Sequence, residues 1–221
     1  NRVFVYSIFR FHALNFQFLR EASLFDRSQQ IHTLTEAFQR RLRPDSTPEM
    51  ILLAGLPGTG KTALARKLKQ AVQEKGGFFA MGKFDMMKRS QSFTPLIAAM
   101  TEFVRMVLKK SNAVVDEIAS KVLSEMGNDI GVLTVLVPAV QELVGRPAEG
   151  SLFALKGAGS EERLQAIFVK FMKAACSCIH PLVLVMDDLQ WADSRSLELL
   201  ESVMTDQEIH ALVVVGTCRS N

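Results

Sequence analysis

Short continuous apolar runs recur along this chain, and helical stripes separate them. Such runs are typical of strands that are buried on both faces, as in parallel sheets. They predict strands at residues 51–54, 78–84, 181–186 and 211–215. The alternation of strands with helices predicts an α/β fold.

Apolar residues three and four positions apart predict the helices. The first stripe falls within residues 24–42, with Ser28 as the expected N-cap, and the next follows Lys61. Gly131 and Pro138 are expected to interrupt the middle of the chain, with Pro138 starting a short helix. Residues 145–159 are expected to form a loop. Further stripes lie at residues 96–108, 115–126, 164–175 and 197–204.

A glycine-rich turn follows the first strand, in the segment MILLAGLPGTGKT at residues 50–62. It matches the G-x-x-x-x-G-K-[ST] template of a phosphate-binding P-loop. Backbone N–H groups hold a triphosphate in such a loop, and glycines leave room for that approach. We expect Lys61 to reach the β- and γ-phosphates and Thr62 to bind Mg²⁺. The expected nucleotide-binding residues are Gly55, Pro57, Gly58, Thr59, Gly60, Lys61, Thr62 and Ala63.

The alternative is a chance match in a glycine-containing loop. A P-loop requires a strand before it and a helix after it. Both are predicted here, which favours a nucleotide site.

Two acids, Asp187 and Asp188, end the third strand. Ligands of open α/β sheets bind at the carboxyl ends of the strands. We expect Asp187 to hold Mg²⁺ and Asp188 to polarise the attacking water as general base. A strand that ends in solvated acids is the alternative. Asp193 and Ser194 are candidate caps of the next helix, with a chemical role as the alternative for Asp193. Trp191 is expected to pack at the rim of the site.

The fourth strand is followed by Gly216, Thr217, Cys218 and Arg219. If this strand pairs beside the P-loop strand, Thr217 and Arg219 would face the γ-phosphate. Arg219 could then sense hydrolysis through charge-assisted contacts. An ordinary loop arginine is the alternative.

Composition narrows the classes of function. The chain has 221 residues, and its net charge of +3 gives no argument for a nucleic-acid partner. No apolar run reaches the roughly 18 residues of a membrane helix, so no membrane partner is expected. Cys176, Cys178 and Cys218 show no disulfide or metal-site spacing, which favours buried free thiols in a reducing, cytoplasmic compartment. The acid-free, arginine- and phenylalanine-rich first twenty residues leave organelle targeting, a fragment boundary and an edge strand as alternatives.

Three segments together resemble the AAA-type ATPase domain of the STAND class, the signal-transduction ATPases with numerous domains. They are GLPGTGKT, LVLVMDDLQWAD and VVVGTCR. The likeness is to the origin-recognition-complex-like subgroup and covers most of residues 24–221. It implies a P-loop NTPase fold, a three-layer α/β/α sandwich with the parallel strand order 5-1-4-3-2. It also implies a helical insert at about residues 111–160.

The resemblance also assigns roles. Lys61 becomes the phosphate-binding lysine, Thr62 and Asp187 the Mg²⁺ ligands, and Asp188 the catalytic acid. Arg219 takes the place of the sensor, and Arg27 a place near the adenine. The implied function is Mg²⁺-dependent ATP binding with slow hydrolysis, which switches a multidomain signalling protein between closed and open forms. ATP, ADP and Mg²⁺ are the expected ligands, and assembly into a homo-oligomer stays open.

Two departures from the family pattern accompany the resemblance. Asp26-Arg27 stands where the family has Gly-Arg. The chain ends at Asn221, so we expect the fifth strand, the helical lid and the effector domains to be missing from it. Residues 1–23 are expected to be an extension or a product of the fragment boundary. The P-loop strand would then have an unpaired edge, and residues 3–6 are predicted to cover it.

Other functions make different demands on the sequence. A DNA-associated ATPase of the replication-initiator type would need a basic helix or a winged-helix tail, and the sequence displays neither. A non-hydrolysing scaffold would not need the intact set Lys61, Thr62, Asp187 and Asp188. ATP is preferred over GTP because of the family likeness, and the sequence contains no guanine-reading N-K-x-D motif.

Overall fold

The computed structural model describes residues 3–8, 22–24, 27–43, 46–88, 92–145, 160–177 and 179–220. These residues contain a six-stranded sheet. Its strands are β1 (Val3–Ile8), β2 (Ala22–Leu24), β3 (Glu49–Gly55), β4 (Phe78–Lys83), β5 (Leu182–Asp187) and β6 (Leu212–Arg219). Their order across the sheet is β2-β1-β3-β6-β5-β4.

The central strands β3, β6, β5 and β4 are parallel to one another. In the family's order this is 1-4-3-2, so the predicted topology is confirmed for these four strands. The β1 strand pairs antiparallel with the outer edge of β3, from Val3 opposite Gly55 to Ile8 opposite Met50. The prediction that residues 3–6 cover this edge is therefore confirmed. The edge of the P-loop strand is paired rather than open.

Helices connect the strands and flank the sheet. They are α1 (Arg27–Arg40), α2 (Lys61–Arg66), α3 (Leu68–Glu74), α4 (Thr94–Val107), α5 (Asn112–Met126), α6 (Ile130–Leu136), α7 (Ala139–Val144), α8 (Ser160–Ala175) and α9 (Ser194–Thr205).

Several details of the helix predictions need correction. Ser28 is the second residue of α1, because the helix begins at Arg27, so it is not the N-cap. Gly131 lies inside α6, and the break falls earlier, at the 3₁₀ turn Gly127–Asp129. Pro138 starts the short helix α7, as predicted. The predicted loop at residues 145–159 lies outside the described residues beyond Gly145.

Alternate residues of the sheet supply two hydrophobic cores, as the period-two geometry of a strand requires. In β3, Ile51 and Leu53 face a core formed with α1, α2 and α3. Met50 and Leu52 face the opposite core, which is larger and formed with α4 to α9. The sheet therefore lies between two helical layers, and the three-layer sandwich expected for this fold is confirmed.

Helices α5 to α7 lie in the span expected for the helical insert and join the larger core. Asp129 links this region to α8. Its carboxylate accepts hydrogen bonds from Arg163 at 2.8 Å and from Lys170 at 2.8 Å. These contacts hold the pKa of Asp129 below its ordinary value, chiefly through the Lys170 hydrogen bond.

Candidate nucleotide-binding site

The P-loop spans the turn from β3 into α2. Gly58 and Gly60 have φ of 77° and 83°, the left-handed region that favours glycine. Thr59 closes the turn, since its hydroxyl donates to the Leu56 carbonyl at 2.8 Å. The α2 helix then begins at Lys61. Strand, glycine turn and helix follow one another as a phosphate-binding loop requires.

The Lys61 side chain lies over this loop. Its ammonium donates to the carbonyls of Gly55 at 2.8 Å and Leu56 at 3.0 Å. The residue is only 8% exposed. Burial lowers the pKa of Lys61, and the nearby charge of Asp188 opposes that shift only in part. A buried ammonium held by neutral carbonyls would gain from an anionic partner such as a phosphate.

A hydrogen bond joins the two halves of the predicted site. The Thr62 hydroxyl donates to Oδ1 of Asp187 at 2.7 Å, although 125 positions separate the two residues. The same oxygen accepts a hydrogen bond from the Thr217 hydroxyl at 2.6 Å. These residues come from three elements, α2, β5 and β6, which meet at the carboxyl edge of the sheet. The sequence prediction that Thr62 and Asp187 are brought together is fulfilled in the geometry.

The surroundings of Asp187 fit a divalent cation. The residue is 3% exposed. In the part of the chain that the structure describes, hydroxyl donors contact its carboxylate and no basic side chain forms an ion pair with it. A buried carboxylate without a cationic partner is costly. Hydroxyl and carboxylate oxygens are ligands that Mg²⁺ accepts beside phosphate oxygens and water.

Asp188 adopts a different backbone conformation from its neighbour, with φ of 59°. Its N–H donates to the Thr217 hydroxyl at 3.0 Å, so Thr217 contacts both acids. Its carboxylate accepts a hydrogen bond from Gln190 on Oδ1 at 2.8 Å. The ammonium of Lys83 lies 3.5 Å from Oδ2. At 23% side-chain exposure, the carboxylate remains accessible to solvent.

Arg219 is the last residue of β6 and pairs with Gly55 of the P-loop strand. Its guanidinium lies 5.8 Å from the centre of the Trp191 ring. Its backbone N–H donates to Oε1 of Gln190 at 3.2 Å. The structure therefore places Arg219 beside the P-loop strand, the condition on which its expected role depends. Its role as a sensor stays a prediction.

The structure also locates the other residues predicted for the nucleotide site and the predicted helix cap. Pro57 and Ala63 are exposed, in the loop and in α2 respectively. Arg27 is the first residue of α1, and its side chain lies outside the described residues, as does Asp26. The predicted cap is confirmed, because the Asp193 carboxylate accepts the Ser196 N–H at 3.0 Å.

The packing predictions are confirmed in part. Trp191 packs against the larger core. Cys176 is a buried free thiol, whereas Cys218 is only partly buried. Cys178 lies outside the described residues. Within the described ranges, no helix has both the length and the apolar character to cross a membrane.

Sequence reasoning missed three residues that contact the acids. Lys83 and Gln190 were not singled out, and Thr217 was expected to face the phosphate rather than to bridge Asp187 and Asp188. Lys83 ends β4, so the rule that sites form at the carboxyl edge could have found it. The bridges of Thr217 and Gln190 depend on the register between strands, for which the sequence gives no signal.

This geometry defines a class of protein. A P-loop between a strand and a helix, with its threonine hydrogen-bonded to a buried acid of a neighbouring parallel strand, is that of a P-loop nucleotide-binding domain. The family model of the AAA ATPase domain matches residues 23–215, and the chain belongs to that family.

A relative from Dictyostelium discoideum, hybrid signal transduction histidine kinase G, is 27% identical over 181 residues. The match covers 82% of this chain and 5% of that protein. The chain is thus similar to a small part of a much longer signalling protein.

Proposed function

We propose that this domain binds Mg²⁺–ATP and hydrolyses it slowly, as the nucleotide switch of a multidomain signalling ATPase. The observation that carries the proposal is the hydrogen bond between Thr62 and Asp187. This hydrogen bond joins α2 to Asp187 of β5. A metal–triphosphate would have to lie beside both elements.

In this proposal the P-loop holds the phosphates. Backbone N–H groups around Gly58 and Gly60 would face the phosphate oxygens, and the Lys61 ammonium would exchange its two carbonyl partners for them. The oxygens of Thr62 and Asp187 would hold Mg²⁺. When bound, the ion would neutralise phosphate charge and fix the orientation of the triphosphate.

Asp188 is proposed as the general base. Its carboxylate lies beside the Mg²⁺ acid and is partly open to solvent, so a water could approach it. The αL backbone of this residue directs its side chain differently from that of Asp187. One acid can therefore face the metal while the other faces the attacking water.

The switch role and the STAND class are proposed on two grounds. The segments around the P-loop, the acids and Arg219 are those of the resemblance. The Dictyostelium relative is named as a signal transduction kinase, and the matched part is a small share of that protein. A nucleotide domain that forms one part of a longer signalling protein suits a switch better than a metabolic turnover enzyme.

The test separates binding from turnover. Lys61→Ala should lower ATP affinity by about 100-fold, because it removes the cation that contacts the phosphates. Asp188→Asn should keep ATP affinity within about threefold and lower the rate of phosphate release by about 100-fold or more, since the general base is lost. Fluorescent-nucleotide titration and a phosphate-release assay measure the two quantities. Lys69→Ala, on the exposed face of α3, is the matched lysine control.

The outcomes distinguish the alternatives. Equal ATP binding by the wild type and Lys61→Ala would refute the site. Binding that depends on Lys61, with no turnover by the wild type, would favour the non-hydrolysing scaffold.

A further inference from the structure

Gln190 uses both ends of its side-chain amide at the site, although it belongs to no phosphate- or metal-binding motif. Its Nε2 donates to Oδ1 of Asp188 at 2.8 Å, and its Oε1 accepts the backbone N–H of Arg219 at 3.2 Å. The donor end faces a carboxylate and the acceptor end faces an N–H. Both hydrogen bonds require this amide orientation, because the flipped amide would place like groups against each other.

The turn that presents Gln190 is well supported. Residues Leu189–Trp191 form a 3₁₀ turn, closed by hydrogen bonds from Trp191 to Asp188 at 2.9 Å and from Ala192 to Leu189 at 3.0 Å. Leu189 is buried and packs so closely on Gly216 of β6 that a Cβ at Gly216 would clash with it. The amide therefore extends from a turn that is fixed to β6 by packing.

The bridge has a mechanical consequence for Asp188. The carboxylate could otherwise rotate about its side-chain bonds, since it lies at the open edge of the sheet. Gln190 restrains Oδ1, which leaves Oδ2 on the side where Lys83 lies. The hydrogen bond from the Arg219 N–H connects the same amide to the end of β6. There the Arg219 guanidinium lies 5.8 Å from the centre of the Trp191 ring.

We propose that Gln190 is a positioning residue, which holds the carboxylate of Asp188 in place against the Arg219 end of β6. This inference rests on the proposed function, because it assigns Asp188 the role of general base. A displacement of the Arg219 end of β6 would then shift the Asp188 carboxylate through the side-chain amide of Gln190.

The experiment uses a substitution of nearly equal shape, Gln190→Glu. The new side chain keeps an acceptor for the Arg219 N–H, loses the donor to Asp188 and adds a like charge beside it. We expect kcat to fall by about 10-fold or more while the Kd for ATP stays within about twofold. A fall in kcat at an unchanged Kd is a split that a purely structural role would not produce.

The matched control is Gln70→Glu on the exposed face of α3. Gln70 also donates its amide to a carboxylate, that of Glu74 at 2.9 Å, so this change creates the same local repulsion away from the site. It should leave kcat and Kd unchanged. Gln190→Met, which removes both hydrogen bonds without adding charge, provides a second variant if Gln190→Glu fails to fold. It should lower kcat and leave the Kd for ATP within about twofold.

Two results would overturn the inference. One is a Gln190→Glu enzyme, or its Met counterpart, with wild-type kcat. The other is a fall in kcat that accompanies equal losses of ATP affinity and thermal stability, which a purely structural turn residue would give. Absence of turnover in the wild type would instead overturn the proposed function, and this inference with it.

Discussion

At the scale of single residues, Asp187 is the centre of the site. Its Oδ1 accepts hydrogen bonds from Thr62 and Thr217. The sequence allowed the first partner to be predicted, because P-loop chemistry demands a threonine and an acid around one metal. The second partner could not be predicted. It depends on which residue of β6 lies level with the end of β5, a register that no local pattern encodes.

Thr217 offers a test of that unpredicted contact. The residue is 1% exposed and its hydroxyl contacts both acids. Thr217→Val keeps the shape but removes one donor to Asp187 and the acceptor of the Asp188 N–H. We expect the free energy of unfolding to fall by about 1–3 kcal/mol, the usual cost of leaving buried polar groups unpaired. Urea denaturation measures this loss.

Two further variants control the Thr217 experiment. Thr217→Ser should restore most of the stability because it restores the hydroxyl. Thr101→Val, which removes a hydroxyl that donates to the Ile97 carbonyl within α4, should change stability by less than about 0.5 kcal/mol. A Thr217→Val protein as stable as the wild type would show that the hydroxyl bridge contributes nothing.

At the scale of elements, the strands were the most predictable features. Continuous apolar runs located β3 to β6 because strands buried on both faces need no polar side. Helix ends were less predictable. Gly131 looked like a break, yet it is buried inside α6. Asp129, in the 3₁₀ turn that follows α5, contacts residues of α8 that are 34 and 41 positions away, and no local sequence pattern indicates these contacts.

The Asp129 link makes stability depend on pH. The pKa of Asp129 is lowered in the folded protein, so its ionised form contributes stability at neutral pH. That contribution is lost as the pH falls below the ordinary aspartate value of about 4 and through the lowered folded value. Asp129→Asn should therefore cost about 0.5–1 kcal/mol at pH 7, discounted because the partners are partly exposed, and progressively less below pH ~4.

Denaturant unfolding at pH 7 and at a pH below ~4 checks this expectation. Asp116→Asn, an exposed acid of α5, is the control and should change stability little at either pH. A cost of Asp129→Asn that is equal at both pH values would contradict an ionic link.

At the scale of the whole molecule, the site is an outcome of sheet order. The P-loop strand β3, the strand β6 that ends at Arg219 and the strand β5 that ends at Asp187 are adjacent and parallel, so their carboxyl ends meet. The order of the central strands followed from the family likeness, and the cover of β3 by β1 from the need to pair an open edge. The hydrogen bonds that join Asp187 and Asp188 to Thr217 of β6 depend on how the strands are aligned, so the sequence alone could not predict them.

The most direct test of this account is a double-mutant cycle between Thr62 and Asp187, measured as Mg²⁺-dependent binding of a non-hydrolysable ATP analogue by calorimetry. Wild-type affinity should fall by about 10-fold when EDTA removes the metal. Thr62→Val and Asp187→Asn should each lose most of that dependence. The double variant should bind about as well as either single variant, because the two residues act on one ion. Strictly additive losses, or full Mg²⁺ dependence in the double variant, would contradict a shared metal–nucleotide site.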